Sequence, residues 1–372
     1  MATHIFTVNE KTFKIHLNYM FAGTGKDGSA HQSGALADIS GIRKGDNVCF
    51  YVMNKGFFGF FKVKDSPFYE GVENQYLHEE LGKNLTYRVL IEPYKVFEKA
   101  KSEWDVMENP DFIKDHSIYN MQWGWIFKKL NANRGCLSID SYESMLLENI
   151  IEQENRILEN VSNYNYEDGI IKRNEKKIYE GITNRKIRNF PNIIKIEEDL
   201  RILFTSEGNN NDLLNIVLEP QQNGKINFIS NEVICSFSER KLDLVLGTEK
   251  QFCLLIELKN KFVFDKSIYN QLKEYSRWIS AYKMHYEKII PILIIREANI
   301  LPIKKRGKYF KYLSFQDKDL GILSDWYQNL SEEIKQAKLQ LKAENISKLD
   351  NLKVYIFETD TDNKLVNFKL IE

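Results

Sequence analysis

Neither sign of charge predominates in this chain of 372 residues. Lys and Arg together number 52, and Asp and Glu number 52. No global field favours or disfavours a polyanionic partner, and only local basic patches can be argued. Cysteine is scarce as well. Cys49, Cys136, Cys235 and Cys253 lie far apart in or near apolar runs, without metal-finger spacing. They are expected as reduced core thiols, which suits a cytoplasmic protein. No apolar run approaches the ~20 residues of a membrane-spanning helix, and no charged-then-apolar leader is visible. The expectation is a chain that neither enters a membrane nor is secreted. Internal repeats and low-complexity tracts are also missing, which excludes solenoids and arrays.

The length favours two domains. The first 140 residues or so carry β-branched and aromatic runs broken by Gly, Asn and Asp, such as "NVCFYVM", "FFGFFKV" and "LTYRVLI", the pattern of a small curved β domain. Asp140 stands three residues before Glu143, a capping-box spacing at the start of a helix. Residues 160–190 lack sustained periodicity and are dense in Asn, Lys, Arg and Tyr, which reads as a connector. From "IIKIEEDLRILF" onward the pattern becomes helix, strands, helix, strand, as in an α/β domain with a mixed sheet. A charged helix and a terminal hairpin follow.

One strand is out of character. In "KLDLVLGTEKQFCLLIELKNK", residues 241–261, an apolar run from Phe252 to Leu258 reads as a strand buried on both sides, yet Glu257 interrupts it and Lys259 follows on the same face. Burial of an unpaired carboxylate costs several kcal/mol or raises its pKa, so the position calls for a cation. Asp243 on the preceding run "LDLVL" supplies a second carboxylate. Two carboxylates and a backbone carbonyl make a hard oxygen site suited to Mg²⁺, with Mn²⁺ expected to substitute. Lys259 would stabilise charge developing on phosphorus or help deprotonate an attacking water. The chemistry is phosphodiester hydrolysis.

The D-x13-E-x-K arrangement resembles the PD-(D/E)xK nuclease superfamily. Upstream, "IEEDLRILF" resembles its leading helix, with Glu197 as the acidic residue and Glu198 in reserve. Downstream, "YNQLKEYSRWI" resembles the following helix with Gln271 and Tyr275, although both could equally be ordinary helix-surface and core residues. No proline precedes Asp243, a departure from the common form. The likeness spans roughly residues 191–297 and is closest to the restriction-endonuclease and NucS-like branches. It implies a catalytic set of Glu197, Asp243, Glu257, Lys259 and Gln271, with Asp243 and Glu257 holding the metal.

In the N-terminal half, "IRKGDNVCFYVMNKGFFGFFKVKDSPFYEG" places Gly45-Asp46 at a turn into one strand and Gly56 and Gly59 where a second bends back. It resembles the PUA-like and EVE group, small barrels that commonly recognise modified bases. Tyr119, Trp123 and Trp125 precede Lys128, Lys129 and Arg134. Aromatics beside basic residues suit an unstacked base with phosphates at the rim, and core packing is the alternative for each tryptophan. Lys304, Lys305 and Arg306 form a basic stretch that either grips a nucleic-acid backbone or is a solvated loop. His16 and His31 have no ligand set nearby and read as surface residues.

The combined expectation is a two-domain α+β/α/β chain. Residues 1–160 form a PUA-like or EVE-like reader with a small β-barrel, 161–190 a linker, and 191–372 a restriction-endonuclease-like α/β core with a mixed sheet. The function expected is Mg²⁺-dependent cleavage of double-stranded DNA in a restriction system, with dependence on a modified base left open and a homodimer matching a paired target. The alternatives are a repair or RNA-processing nuclease, and a nucleic-acid-binding protein whose nuclease core is inactive.

Overall fold

The computed structural model describes residues 1–25, 32–71, 73–107, 135–158, 163–174, 177–187, 192–235, 240–283, 285–297, 300–305, 309–314 and 320–371, the side chains of residues 32, 107 and 300–327 excepted. The chain divides into two compact units, Met1–Pro191 with Asn227–Lys241, and Asn192–Ile226 with Leu242–Glu372. It is a mixed α/β protein with a curled half-barrel sheet and a separate mixed sheet.

The first unit is built on the aromatic strands that stand out in the sequence. They are β1 (Thr3–Val8), β2 (Phe21–Thr24), β3 (Asn47–Val52), β4 (Gly56–Val63), β5 (Phe68–Tyr69), β6 (Tyr87–Lys95) and β7 (Cys136–Ile139). The sheet order is β2-β6-β4-β3-β1-β7, with β5 also on β6. β1 runs parallel to β3, and the remaining pairs are antiparallel. The β3–β4 hairpin carries the bends expected at the glycines. Gly56 has φ +116°, and a Cβ there would lie 2.1 Å from the Lys101 carbonyl oxygen, so no other residue fits that approach. α1 (Glu10–Tyr19) buries Phe13, His16 and Leu17 on the sheet, where Phe13 packs on Phe50 and Phe58. The capping box at Asp140 and Glu143 opens α5 (Ser141–Glu152), after α2 (Gln32–Ser40), α3 (His78–Leu81) and α4 (Glu103–Met107).

Two expectations for this unit need correction. His16 is not on the surface. It falls on the α1 face that bears Phe13 and Leu17, stacks on Phe50 and meets the edge of Phe21, and burial, with Lys83 and Arg88 nearby, pushes its pKa down to about 3. His31 lies outside the described residues. Nor is 161–190 a free connector. β8 (Tyr164–Glu167) and β9 (Ile170–Arg173) form a hairpin whose Tyr164, Tyr166 and Ile171 belong to the same core as Phe6, Phe50 and Phe61. Alternation hides within the Asn-rich composition, because Tyr164 and Tyr166 face inward while Asn165 and Glu167 flank them. His4 is buried between Ser138 Oγ (2.8 Å) and Asp46 Oδ2 (3.0 Å), a clasp that ties β1 to β7 and to the turn entering β3.

In the second unit α6 (Glu197–Glu207), α7 (Asp212–Leu218) and α8 (Pro220–Asn223) precede the strands. A six-stranded sheet runs in the order β10 (Ile226–Cys235), β11 (Arg240–Thr248), β12 (Phe252–Lys259), β13 (Lys288–Arg296), β16 (Lys353–Thr359) and β17 (Leu365–Leu370), of which β10 beyond Ile226 and the first two residues of β11 are counted with the first unit. β11–β12 and β16–β17 are antiparallel, whereas β12–β13 and β13–β16 are parallel. Parallel neighbours need crossovers. α9 (Lys266–Tyr282) makes the first and α10 (Leu320–Ala343) the second, and the hairpin β14 (Ile300–Lys305) with β15 (Tyr309–Ser314) stands between them. Ile268, Leu272, Leu293, Ile334 and Ile356 form a core on one side of the sheet. All four cysteines are buried thiols outside any disulfide, as their apolar surroundings imply. Among the described residues no helix is long and apolar enough to cross a membrane.

Because the β8–β9 hairpin is core, Tyr164→Ala should lower the stability of the intact chain by about 3 kcal/mol or more, read as a fall in the urea midpoint. A connector residue would leave the midpoint unchanged.

Candidate active site

Across β11 and β12 the ladder ends at Leu244 and Ile256, one step short of Asp243 and Glu257. There the Asp243 carboxylate replaces the missing backbone partner, and its Oδ2 accepts from the Leu258 N–H at 2.8 Å. The step that ends the ladder also brings the two acids to one face, since directly opposed antiparallel residues point the same way. Both are buried, Asp243 at 8% and Glu257 at 2% exposure. Lys259, two residues on, returns to the same face, and its Nζ donates to Glu257 Oε1 at 2.5 Å and to the Leu258 carbonyl at 2.9 Å.

α6 completes the cluster. Asp199 fixes the entry to this helix by accepting from the Lys195 and Ile196 N–H groups at 3.0 and 3.1 Å. Glu197 in the first turn accepts from the Asn260 N–H at 3.3 Å and acts electrostatically on Asp243, Glu257 and Lys259. Of the two candidate glutamates it is Glu197 that faces this centre. Glu198 turns aside and lies 3.9 Å from Arg201 Nη2. One turn after Glu197 on the same helix face, Arg201 places Nη1 3.6 Å from Asp243 Oδ1.

The charges follow from this packing. Burial, then Glu257 and Glu197, push the Asp243 carboxyl up to about 8. Glu257 is raised as well, chiefly by burial, against the pull of Lys259. For Lys259 burial opposes ionisation, yet Glu257, Asp243 and Glu197 carry its pKa above the ordinary value. It is therefore an ammonium at neutral pH. Between the two roles open to it from the sequence, that state suits stabilisation of negative charge rather than proton abstraction. Glu257 Oε2 is buried without a hydrogen-bond partner, the mark of an acceptor waiting for a cation. Among the described residues no three His, Cys, Asp or Glu side chains form a metal cage by themselves.

Glu197, Asp243, Glu257 and Lys259 are thus brought together from three elements. Gln271 is not brought in by any hydrogen bond among the described residues. It lies half-buried on α9, and Tyr275 is buried in the core. Tyr119, Trp123, Trp125, Lys128, Lys129, Arg134 and Arg306 lie outside the described residues, and Lys304 and Lys305 stand on β14. Arg201 and Asn260 were not singled out from the sequence. For Arg201 the signal was its spacing of four from Glu197, and for Asn260 its position immediately after the E-x-K run.

The fold and this centre define a class: a mixed α/β chain whose second sheet ends in a buried pair of carboxylates with a lysine and an arginine. No protein-family model matches the chain, and no curated protein matches it at a significant level.

A carboxyl whose folded pKa lies above its unfolded one takes stability away as the pH rises, because the unfolded state ionises first. Without metal, Asp243→Asn and the wild type should melt together near pH 4. The variant should then gain steadily in melting temperature as the pH rises towards 8. A constant difference between them across that range would contradict the raised pKa.

Proposed function

We propose that the second unit is a PD-(D/E)xK-type phosphodiesterase and that the chain is a Mg²⁺-dependent DNA endonuclease of the restriction type. The observation that carries this reading is the meeting of Asp243, Glu257 and Lys259, with Glu197 from α6, at the end of a sheet strand where burial makes carboxylates expensive. A fold that needed only stability would place apolar groups there. The unpartnered Glu257 Oε2 and the raised carboxyls fit a divalent cation, and Asp243, Glu257 and the Leu258 carbonyl are the groups that would hold it. When bound, such an ion lowers the pKa of water and polarises a phosphoryl oxygen. Lys259 contributes a fixed positive charge to the phosphorane-like transition state, and Glu197 orients the Asn260 amide and the solvent that reaches the site.

In this proposal the first unit is a PUA-like or EVE-like reader that selects the target. Double-stranded DNA is the substrate, and two copies act together on a paired site. A second reading has its own support. Lys259 already pairs with Glu257, and Arg201 already lies beside Asp243, so the protein's own cations partly neutralise the carboxylates, as they would in a nucleic-acid-binding protein with an inactive core.

Incubation with duplex DNA, modified and unmodified, and with RNA distinguishes these readings. Cleavage should require Mg²⁺ or Mn²⁺, stop with EDTA, and fall about 10²–10³-fold or more in Asp243→Asn, Glu257→Gln and Lys259→Ala. Cleavage that persists in any of the three sinks the assigned site. Binding without cleavage under every metal favours the inactive core.

A further inference from the structure

The apolar strand β13 also ends in a charge. Arg296 closes "PILIIR" next to Lys259 and Asn260, since Lys259 is paired with Ile295 in the parallel ladder. Its guanidinium is held by neutral groups alone. Nη1 donates to Asn260 Oδ1 at 3.1 Å, and Nη2 donates to Thr359 Oγ1 at 2.8 Å and Asn363 Oδ1 at 2.9 Å. The flat face lies 5.8 Å from the Phe357 ring centre, and the Nε N–H is buried with no acceptor. Among the described residues no carboxylate pairs with it. In the β16–β17 turn, Asp360 spends its Oδ1 on the Asp362 and Lys364 N–H groups.

This is an unusual way to keep an arginine. Partial burial of a cation is unfavourable unless an anion compensates it, and burial does lower the Arg296 pKa from its ordinary value. Three neutral acceptors orient the guanidinium without cancelling its charge. Asn260 joins this group to the centre, because its side chain accepts from Arg296 while its own N–H donates to Glu197.

Resting on the nuclease reading, we infer that Arg296, positioned by Asn260, Thr359 and Asn363, is the seat of a backbone phosphate adjacent to the one that is cut. With both Nη2 hydrogens and one Nη1 hydrogen spent on neutral acceptors, the remaining Nη1 hydrogen and the uncancelled charge suit a phosphate oxygen, and the missing counter-ion is the ligand itself. The seat holds the strand in register with Lys259 and the carboxylates and carries no sequence information.

The test uses the full chain and a fluorescent random-sequence duplex, with binding followed by anisotropy across a salt series in EDTA. Mg²⁺-dependent cleavage is measured in parallel. Arg296→Gln should bind about tenfold more weakly whatever the sequence, and the slope of log affinity against log salt should fall by about one, the loss of one phosphate contact. In cleavage KM should rise while kcat is largely kept. Loss of affinity with an unchanged slope would assign Arg296 to the stability of the β16–β17 turn and overturn the inference, as would unchanged binding. Should Arg296→Gln fail to fold, Arg296→Lys decides. With the charge kept and the guanidinium's hold on Asn260, Thr359 and Asn363 lost, it should hold the slope and bind several-fold more weakly, and wild-type affinity would overturn the inference. A wild-type chain that binds and cuts no nucleic acid brings down the nuclease reading first and this seat with it, a result distinct from a failure of Arg296 alone.

Discussion

The second unit turns on the burial of two carboxylates side by side. Asp243 and Glu257 leave water at the point where the β11–β12 ladder stops, burial raises the pKa of both, and Glu257 raises Asp243 further. Much nearby answers that cost. The Leu258 N–H binds Asp243, the Lys259 ammonium binds Glu257, and the Arg201 guanidinium approaches Asp243 from α6. The strands around them are apolar on both faces, so little solvent relieves the charge. Removing any one of these partners leaves a buried acid uncompensated, which is more destabilising than the net worth of the pair.

The first unit shows the opposite economy. Its centre is aromatic, with Phe6, Phe13, Phe50, Phe58 and Phe61 packed together. His4 is satisfied by Ser138 and Asp46. His16 remains neutral because burial, with Lys83 and Arg88 nearby, opposes its charge.

How much of this was legible in the sequence depended on whether one strand or several had to be known. Glu257 and Lys259 could be found because alternation within a single strand puts them on one face, and their apolar neighbours made the charges conspicuous. The capping box at Asp140 and the bends at Gly56 and Gly59 were local signals, and all are present. The choice of Glu197 over Glu198 needed the rotation of α6 about its axis, which one helix's sequence does not fix against a sheet. The cluster of Asn260, Arg296, Thr359 and Asn363 needed the order of β12, β13 and β16, set by crossovers of many residues. The β8–β9 hairpin is hidden for another reason: its Asn-rich composition masks a short alternation of two tyrosines.

The division of the chain has a consequence for its synthesis. The boundary between units is crossed at 191–192, at 226–227 and again at 241–242, so neither unit is one uninterrupted stretch. Domains made of continuous sequence can complete themselves in turn as they leave the ribosome. Here residues 1–191 emerge and must wait for 227–241 before the first unit has all its parts, while the helices of 192–226 pack on β12 and β17, which are still untranslated. The two units therefore mature as an interleaved pair, and the acidic centre takes Glu197 from before the inserted segment 227–241 and Asp243, Glu257 and Lys259 from after it.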